Sequence, residues 1–505
     1  MPMFQFIPQL ASLQARRVLA PVHQRRHRRL RTGVRRSALR YGTHFTALDD
    51  DPRWYAGGMP PRLHNRVTPL IDGKRYLTAL LEELQGAEHY VFVISWCLTP
   101  DLPLHRQDRP ALLESRLKLV LAATARRVPV RVLLWSGAPF LFKPDSKMVE
   151  AVQCELSGYS GVDLECRLDR TAHFSHTHHQ KAVVIDGRVA FVGGMDLTTF
   201  AGDRWDTSDH PLRAGPNWHD VQVRIEGEAA ADVDQNFRQR WQDATGEKCA
   251  AQRAPTFDPE WNTPVQIVRT IPKRTYKFAP HGEFGIHHAY IKAIQQAKRF
   301  VYIENQYLWS SEIVDAMIEA MNRERKEQFR IVVVLPANAI DGKWDNDRQV
   351  KTLRAADNGR GIFSAYCPYS SGPTGGEHAF NYRPIYVHAK VMVVDDEWVT
   401  IGSANLNERG LITDSEIVAA IREPDIARAV RVDLWSEHLS MSRAEVAAAN
   451  PIALIDNEWP RRADQNAGTI KRKDAPLLSA VHRYESGRMP GVWLLEEAEA
   501  VTLEH

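Results

Sequence analysis

The chain has 505 residues, of which 44% are hydrophobic and 25% charged, and its formal net charge is +3. This length is enough to bury substantial cores and predicts two or more domains, which excludes a disordered chain as the bulk of the molecule. No run of about 18 or more apolar residues occurs, so we expect no membrane-spanning helix. The five cysteines form no Cys-x-x-Cys pair, and they indicate neither a disulfide framework nor a zinc site.

The first 48 residues form a basic arm that contains ten Arg and no Asp or Glu. Removing this +10 from the total of +3 leaves −7 for the rest of the chain. Such an arm can attract anionic lipids or nucleic acid, can be a targeting segment, or can be an exposed tail. Because the apolar start lacks the cationic region and continuous apolar core of a secretory signal, we expect a cytoplasmic or peripheral membrane protein.

Two similar sets of helices and strands follow the arm. The segment YLTALLEELQGAEHYVFVISW from Tyr76 predicts an amphipathic helix and a strand, and AYIKAIQQAKRFVYIENQYLW from Ala289 is its counterpart. A second strand, VPVRVLLW from Val128, is repeated as FRIVVVLP from Phe329. Each set closes with a predicted helix, at 229–241 and 424–439. The sequence therefore contains an internal repeat.

This repeat predicts an α/β fold of two similar domains, each a mixed sheet flanked by helices. The domains are expected to be related by a pseudo-twofold axis, with the active site at their interface. We assign residues 49–255 and 256–445 to the two domains and 446–505 to a C-terminal extension. The join is expected within the Pro-rich segment 253–264.

One short motif, His-x-Lys-x-x-x-x-Asp, occurs once in each set, at His179–Asp186 and at His388–Asp395. The first copy is followed by VAFVGGMDL and the second by VTIGSANLN. Both copies predict a β-hairpin, since β-branched residues dominate and Asp-Gly is a strong hairpin dipeptide. Side chains alternate along a strand, so His and Lys share one face while Asp186 and Asp395 fall at the turns as structural residues.

The hairpins predict further neighbours of the two histidines. A two-residue turn at Asp186 and Gly187 sets Gly194 opposite His179, and a turn at positions 395 and 396 sets Ser403 opposite His388. Asn405 then shares a face with Ser403, and Asp196 occupies the equivalent place in the first half. These small or polar residues are predicted to bind a phosphate.

The four motif residues suit chemistry at a phosphodiester. Lys181 and Lys390 are point charges that stabilise phosphoryl oxygens as negative charge develops on them. An imidazole can act as a nucleophile or as a general acid and base. Two histidines therefore favour a two-step displacement through a phosphohistidine, and the site requires both copies of the motif.

The duplicated motif resembles the signature of the phospholipase D superfamily. The segments RWDTSDHPL, WHDVQVRIEG, IHHAY and YIENQYL are similar to the phosphatidylcholine-type phospholipases D. The resemblance implies a metal-independent phosphodiesterase without a cofactor, in which His179 is the nucleophile and His388 the general acid and base. It also implies that a carboxylate supports each imidazole, and the matching positions are Asp220 and Glu416. Which carboxylate serves which histidine stays open.

Several other interpretations remain. The histidines in HFSHTHHQK, at positions 173, 176, 178 and 179, could form a metal site, but alternation separates them and no partner carboxylate is evident. The leading function is a monomeric phospholipase D that acts at a membrane surface and transfers a phosphatidyl group to water or an alcohol. A cardiolipin synthase-type transferase is the alternative. Only the basic arm favours a nuclease, because the rest of the chain is acidic. The two intact motifs argue against a scaffold without activity.

Overall fold

The computed structural model describes residues 51–487 except 139–142, 174–175, 214, 250–257, 326–327, 341 and 375–378. The basic arm, residues 253–257 of the predicted domain join and the end of the C-terminal extension lie outside the described residues. Within the described part of the chain, no helix has both the length and the apolar character needed to cross a membrane.

The first half of the chain builds one sheet and its covering helices. The strands are Asn65–Ile71 (β1), Val91–Ser95 (β2), Val130–Trp135 (β3), Leu164–Asp169 (β4), Ala182–Ile185 (β5), Val189–Gly193 (β6), Asn217–His219 (β7) and Val221–Gly227 (β8). The helices are Gly73–Gln85 (α1), Arg109–Glu114 (α2), Leu117–Ala125 (α3), Ser146–Ser157 (α4) and Glu228–Thr245 (α5). Seven strands form the sheet in the order β1-β8-β6-β5-β2-β3-β4.

The second half repeats this arrangement. Its strands are Val265–Ile271 (β9), Glu283–Phe284 (β10), Phe300–Asn305 (β11), Arg330–Val334 (β12), Phe363–Pro373 (β13), Phe380–Val387 (β14), Lys390–Val394 (β15), Trp398–Gly402 (β16), Glu416–Ile421 (β17) and Val481–Arg483 (β18). Its helices are Gly285–Gln296 (α6), Ser311–Asn322 (α7), Lys343–Asp357 (α8), Pro424–Leu439 (α9), Arg443–Ala448 (α10), Pro451–Ala453 (α11) and Trp459–Arg472 (α12), with π-helical turns at Arg409–Thr413 and Leu454–Glu458.

The order β9-β17-β16-β15-β11-β12-β13 within the second sheet matches the order of the first sheet strand for strand. In both halves the central strands β2 and β11 pair in parallel with the next strand and antiparallel with the motif strand. Both strands are buried along their whole length and are apolar except at their ends, as expected for strands covered by helices on each side. The predicted α/β fold with an internal repeat is confirmed.

One strand of the first half joins the sheet of the second half. Strand β7 pairs in parallel with β14, so that Trp218 lies beside Tyr386 and His219 beside Val387. A second crossing is the isolated bridge between His178 and Ser415. These two exchanges bring the residue that follows β7 and the first residue of β17 to the opposite motif.

The predicted register of the two hairpins is wrong by one residue. Ile185 pairs with Val189 and Val394 with Trp398, so each turn contains three residues instead of two. In each turn the motif aspartate adopts a left-handed conformation, with φ of 58° at both Asp186 and Asp395. Consequently Gly194 is not opposite His179, and Ser403 is not opposite His388.

The motif aspartates leave the ladder because their carboxylates bind backbone amides. Asp186 accepts hydrogen bonds from the N–H groups of residues 88, 89 and 90, at 3.0, 2.7 and 3.0 Å. Asp395 accepts the equivalent bonds from residues 298, 299 and 300, at 2.7, 2.8 and 2.8 Å. Each aspartate therefore fixes its hairpin to the start of the central strand of its own half.

Candidate active site

Each motif histidine bonds to a carboxylate supplied by the other half of the chain. Nδ1 of His179 lies 2.8 Å from Oε1 of Glu416, and Nδ1 of His388 lies 2.6 Å from Oδ2 of Asp220. Both carboxylates are buried, with 1% and 0% of their surfaces exposed. The pairing is thus crossed between the two halves, and it leaves Nε2 of each ring as the nitrogen available for reaction.

The strand exchanges explain this crossing. His219 precedes Asp220, and its carbonyl accepts hydrogen bonds from the amides of His388 and Ala389, at 2.8 and 3.1 Å. In the other direction, the amide of His179 donates to the carbonyl of Ser415, the residue before Glu416, at 2.9 Å. Backbone bonds therefore set the position of both imidazole–carboxylate pairs.

The predicted phosphate-binding residues Ser403 and Gly194 lie beside these carboxylates. The Ser403 hydroxyl donates to Oε2 of Glu416 at 2.5 Å, so it belongs to the His179 side of the site. Gly194 approaches the other pair, because a Cβ at this position would lie 2.2 Å from Oδ1 of Asp220 and 3.0 Å from the His388 carbonyl. The segments that follow the two motifs, GGMD at 193–196 and GSAN at 402–405, therefore differ at residues that contact the supporting carboxylates.

The two motif lysines are buried, and each donates to the carbonyl of its own motif histidine, but their other partners differ. Lys181 lies 3.1 Å from Asp196, and both side chains are 2% exposed. Lys390 donates to the carbonyl of His388 and to Oε1 of Gln306, the latter at 3.3 Å. The Asp196 carboxylate compensates the charge of Lys181 directly, whereas the two groups that accept hydrogen bonds from Lys390 are neutral.

Two tryptophans lie against the histidines, and the predicted phosphate-binding residue Asn405 is buried. Asn405 is 7% exposed, and its Oδ1 has no hydrogen-bond partner among the described residues. The ring of Trp96 meets that of His179 edge-on at 6.0 Å, and the ring of Trp218 meets that of His388 in the same way at 5.0 Å. An aromatic wall therefore accompanies each imidazole.

Burial dominates the electrostatics of the imidazole–carboxylate pairs. It lowers the pKa of His179 and His388 well below the usual value, and the neighbouring lysine ammonium groups act in the same direction. Burial also raises the pKa of Glu416 and Asp220. Burial therefore favours the neutral form of His179, which is the form that a nucleophile requires, whereas the charged form that His388 needs as an acid depends on Asp220 and on the bound phosphate.

Burial also governs the charge of Lys390. Its removal from water, opposed by the nearby Asp220 carboxylate, lowers its pKa to about 7. Lys181 and Lys390 also contribute to the low pKa of His179. An anionic phosphate placed among these groups would favour their charged forms, since an opposite charge stabilises a cation.

The histidine run HFSHTHHQK is divided between two environments. His179 faces Glu416, whereas His178 is buried 3.0 Å from Asp169 and bonds to Thr171 and Ser415. Asp169 lies nine residues before His178, so the histidine run itself contains no carboxylate that would indicate this partner. His178 therefore supports the strand that carries the reactive histidine.

Sequence comparisons place this geometry in a family. A model described as "Cardiolipin synthase, PLD-like domain" matches residues 290–437, and a model described as "Phospholipase D" matches residues 213–324. The chain belongs to the phospholipase D superfamily. Within this superfamily it is most like the phospholipase D branch, because its curated relatives include phospholipase D alpha 4 of Arabidopsis thaliana and phospholipase D alpha 1 of Carica papaya.

These phospholipase D relatives are 26% and 27% identical to the chain, and each alignment covers 74% of it. The chain spans 66% and 65% of their own lengths, slightly less than two thirds. Among solved structures, the phosphatidylserine synthase of Haemophilus influenzae Rd KW20 has a TM-score of 0.48 at 11% identity, covering 82% of this chain and 97% of that one.

Proposed function

We propose that the chain is a phospholipase D that hydrolyses the distal phosphodiester of a glycerophospholipid to phosphatidic acid and a free headgroup. The observation that supports this most strongly is the pair of crossed imidazole–carboxylate contacts, His179 with Glu416 and His388 with Asp220. Each imidazole depends on the other half of the chain. The two motifs therefore suit one composite site better than two separate ones.

In the first step, Nε2 of His179 attacks phosphorus while the bond from phosphorus to the headgroup oxygen breaks. His388 donates its proton to that oxygen, and the headgroup leaves as an alcohol. The phosphatidyl group is then attached covalently to His179. Lys181 and Lys390 stabilise the negative charge on the nonbridging oxygens as it builds up.

In the second step, neutral His388 takes a proton from water as the water oxygen attacks phosphorus. The bond between phosphorus and His179 breaks, phosphatidic acid leaves, and His388 is protonated for the next cycle. An alcohol in place of water gives a phosphatidyl alcohol by the same route. Glu416 and Asp220 stabilise the imidazolium that forms in each step and hold Nδ1 as the protonated nitrogen.

Exposed apolar residues beside the site support a lipid substrate. Trp344 is 68% exposed and Ile340 is 46% exposed, the two highest values among the large hydrophobic residues of the described chain. The Ile340 carbonyl accepts a hydrogen bond from Tyr307, and its amide donates to Tyr386, which also bonds to the Lys390 partner Gln306. Since tryptophan favours the membrane–water interface, we propose that Ile340 and Trp344, which we call the rim, contact the phospholipid surface.

The rim can be tested with vesicles and with a soluble short-chain phospholipid. Trp344→Ala should weaken vesicle binding and vesicle turnover several-fold while turnover of the soluble substrate stays unchanged. Leu119→Ala, which removes another exposed apolar side chain far along the sequence, is the matched control. Equal losses on both substrates would contradict an interfacial role.

A cardiolipin synthase-type transferase is the second candidate, because a model of that description matches residues 290–437. It would form the same phosphatidyl-enzyme but transfer the phosphatidyl group to a lipid alcohol.

We further propose that a single chain is active, since both halves of the site lie in one chain.

The deciding experiment incubates the protein with a panel of phospholipids in the presence and absence of ethanol and of phosphatidylglycerol. Phosphatidic acid, together with phosphatidylethanol when ethanol is added, is the result expected of a phospholipase D. Predominant cardiolipin would favour the transferase. Cleavage of DNA or RNA without turnover of any lipid would refute both proposals, and a sedimentation measurement on the same preparation would test the monomer.

A further inference from the structure

A second cluster of ionisable side chains is buried behind His388, outside the groups that act on the phosphodiester. We use the term four-residue cluster for Asp72, His210, His219 and Glu437, whose side chains are at most 3% exposed. They come from four places: the end of β1, the loop before β7, β7 itself and helix α9. Distant segments of the chain therefore converge to bury two imidazoles and two carboxylates.

The donor atoms of the four-residue cluster face one another. Nδ1 of His219 lies 2.8 Å from Oε1 of Glu437 and 3.1 Å from Oδ1 of Asp72. Nε2 of His210 lies 3.0 Å from Oε1 of Glu437 and 3.6 Å from Oδ2 of Asp72. Nitrogen and oxygen ligands of tetrahedral zinc are about 3.3 Å apart when each lies about 2.0–2.1 Å from the ion. The observed separations lie on both sides of this value.

Two further observations point to a ligand at this position. Oδ2 of Asp72 is buried and has no hydrogen-bond partner among the described residues. In addition, the remaining ring nitrogen of each histidine faces a carboxylate: Nε2 of His219 lies 2.7 Å from Glu304, and Nδ1 of His210 lies 3.1 Å from Asp206. Metal-binding histidines in proteins usually have such a carboxylate behind them, which fixes the tautomer and raises the basicity of the ligand.

The four-residue cluster also has a route to solvent. A cavity of about 930 Å³ is lined by Glu437 and Asp206, together with residues of α1 and α9. Glu437 belongs both to this cavity and to the cluster. An ion could therefore enter after the chain has folded.

We propose that Asp72, His210, His219 and Glu437 bind one Zn²⁺ ion with a structural role. Two imidazoles and two carboxylates form a donor set that suits zinc, and four protein ligands are typical of a structural rather than a catalytic site. The ion takes no part in the phosphodiester chemistry. It would join the end of β1 and helix α9 to β7, the strand that directly precedes Asp220 and orients His388.

The contacts on either side of Asp220 explain how such an ion would act. The His219 carbonyl holds the amides of His388 and Ala389, and the Asp72 amide donates to the Asp220 carbonyl at 2.9 Å. Two of the four proposed ligands thus bond to the backbone of the His388–Asp220 pair. Loss of the ion should loosen this pair and leave the His179–Glu416 pair in place.

The first test measures metal in the wild-type protein purified without chelators. We expect about one equivalent of zinc per chain that persists through dialysis. Replacement by Co²⁺ should give the visible bands of tetrahedral cobalt without the intense near-ultraviolet band of thiolate ligation. A folded wild-type protein that contains no zinc and takes up neither Zn²⁺ nor Co²⁺ would overturn the proposal, whatever its activity on lipids.

Variants locate the ion. His210→Asn and Asp72→Asn should each abolish stoichiometric zinc, whereas His287→Asn, which alters a histidine paired with Glu312 elsewhere, and Cys154→Ser should retain it. Zinc that persists in both cluster variants would place it elsewhere and overturn the assignment. If either cluster variant fails to fold, the cobalt spectrum of the wild type remains decisive, since a thiolate band would contradict this donor set.

Discussion

The crossed pairing predicts that Asp220 and Glu416 support different chemical steps. Asp220→Asn alters the carboxylate of His388, the proposed acid, and Glu416→Gln alters that of His179, the proposed nucleophile. Both substitutions preserve the size of the side chain but remove the negative charge that accepts a hydrogen bond from Nδ1. The two variants should therefore differ on substrates whose headgroups differ in their need for protonation.

The geometry sets the expected size of each loss. The two imidazole–carboxylate bonds are 2.6 and 2.8 Å long and are buried, so water cannot take the place of a carboxylate that has been removed. An amide facing Nδ1 favours the wrong tautomer and does not stabilise an imidazolium. In a serine protease triad the same change costs about 10⁴-fold in rate. For a lipid with an alkyl headgroup we expect losses of about 10³–10⁴-fold, or about 4–5 kcal/mol, in both variants.

A phosphodiester with a nitrophenol leaving group separates the two roles, because this group departs without protonation. Stopped-flow absorbance should show a rapid burst of nitrophenolate in Asp220→Asn, close to one equivalent per site. Slow turnover should follow, since His388 is still needed to activate water. Glu416→Gln should show no burst with either substrate, because its nucleophile is impaired.

A burst in Glu416→Gln and none in Asp220→Asn would reverse the two roles. Identical slow kinetics in both variants with the activated substrate would refute the division of labour. Circular dichroism and thermal unfolding of each variant serve as the control for folding.

Three further predictions concern other parts of the site. Gly194→Ala should lower kcat by at least tenfold, measured with a soluble phospholipid, because its methyl group would lie 2.2 Å from Asp220; unchanged kcat would contradict the close approach. Asp186→Ala should reduce the free energy of unfolding in urea by about 3 kcal/mol, since alanine removes all three hydrogen bonds of the carboxylate. Asp186→Asn should reduce it by about 1–2 kcal/mol, since asparagine retains Oδ1, which accepts two of the three bonds. Equal effects would argue against a structural role of these bonds. Because burial lowers the pKa of Lys390 to about 7, its charge is lost as pH rises through that value, and kcat/KM should fall above pH 7. The fall in kcat should occur only at higher pH, because bound phosphate favours the ammonium. A fall in kcat and in kcat/KM at the same pH would contradict this assignment.

Much of the fold could be predicted from the sequence. Periodic apolar runs such as those of β2 and β11 identify strands locally, and their repetition identifies the two related halves. The alternation of side chains predicts that the motif aspartates lie at the turns, away from the face of His and Lys, and their carboxylates accept hydrogen bonds from backbone amides. Their effect on the turn could not be predicted, because it arises from bonds to amides 95 or more residues away.

The pairing of histidines with carboxylates could not be predicted for a similar reason. Asp220 and Glu416 were identified by resemblance, but nothing local indicates that β7 leaves its own sheet to pair with β14. Gln306 lies in the quoted segment YIENQYL, yet its contact with Lys390 requires the packing of β11 against β15. The four-residue cluster was also missed, since its members are scattered between positions 72 and 437 and form no spaced motif.

The most direct test of one composite site is to trap and map the covalent intermediate. Wild-type protein is mixed with phospholipid labelled at phosphorus, quenched in alkali and digested, and the labelled peptide is sequenced. The account predicts label on His179 alone, its accumulation in His388→Ala with a nitrophenyl substrate, and its absence in His179→Ala. Label on His388, or full activity after loss of either histidine, would contradict the central claim.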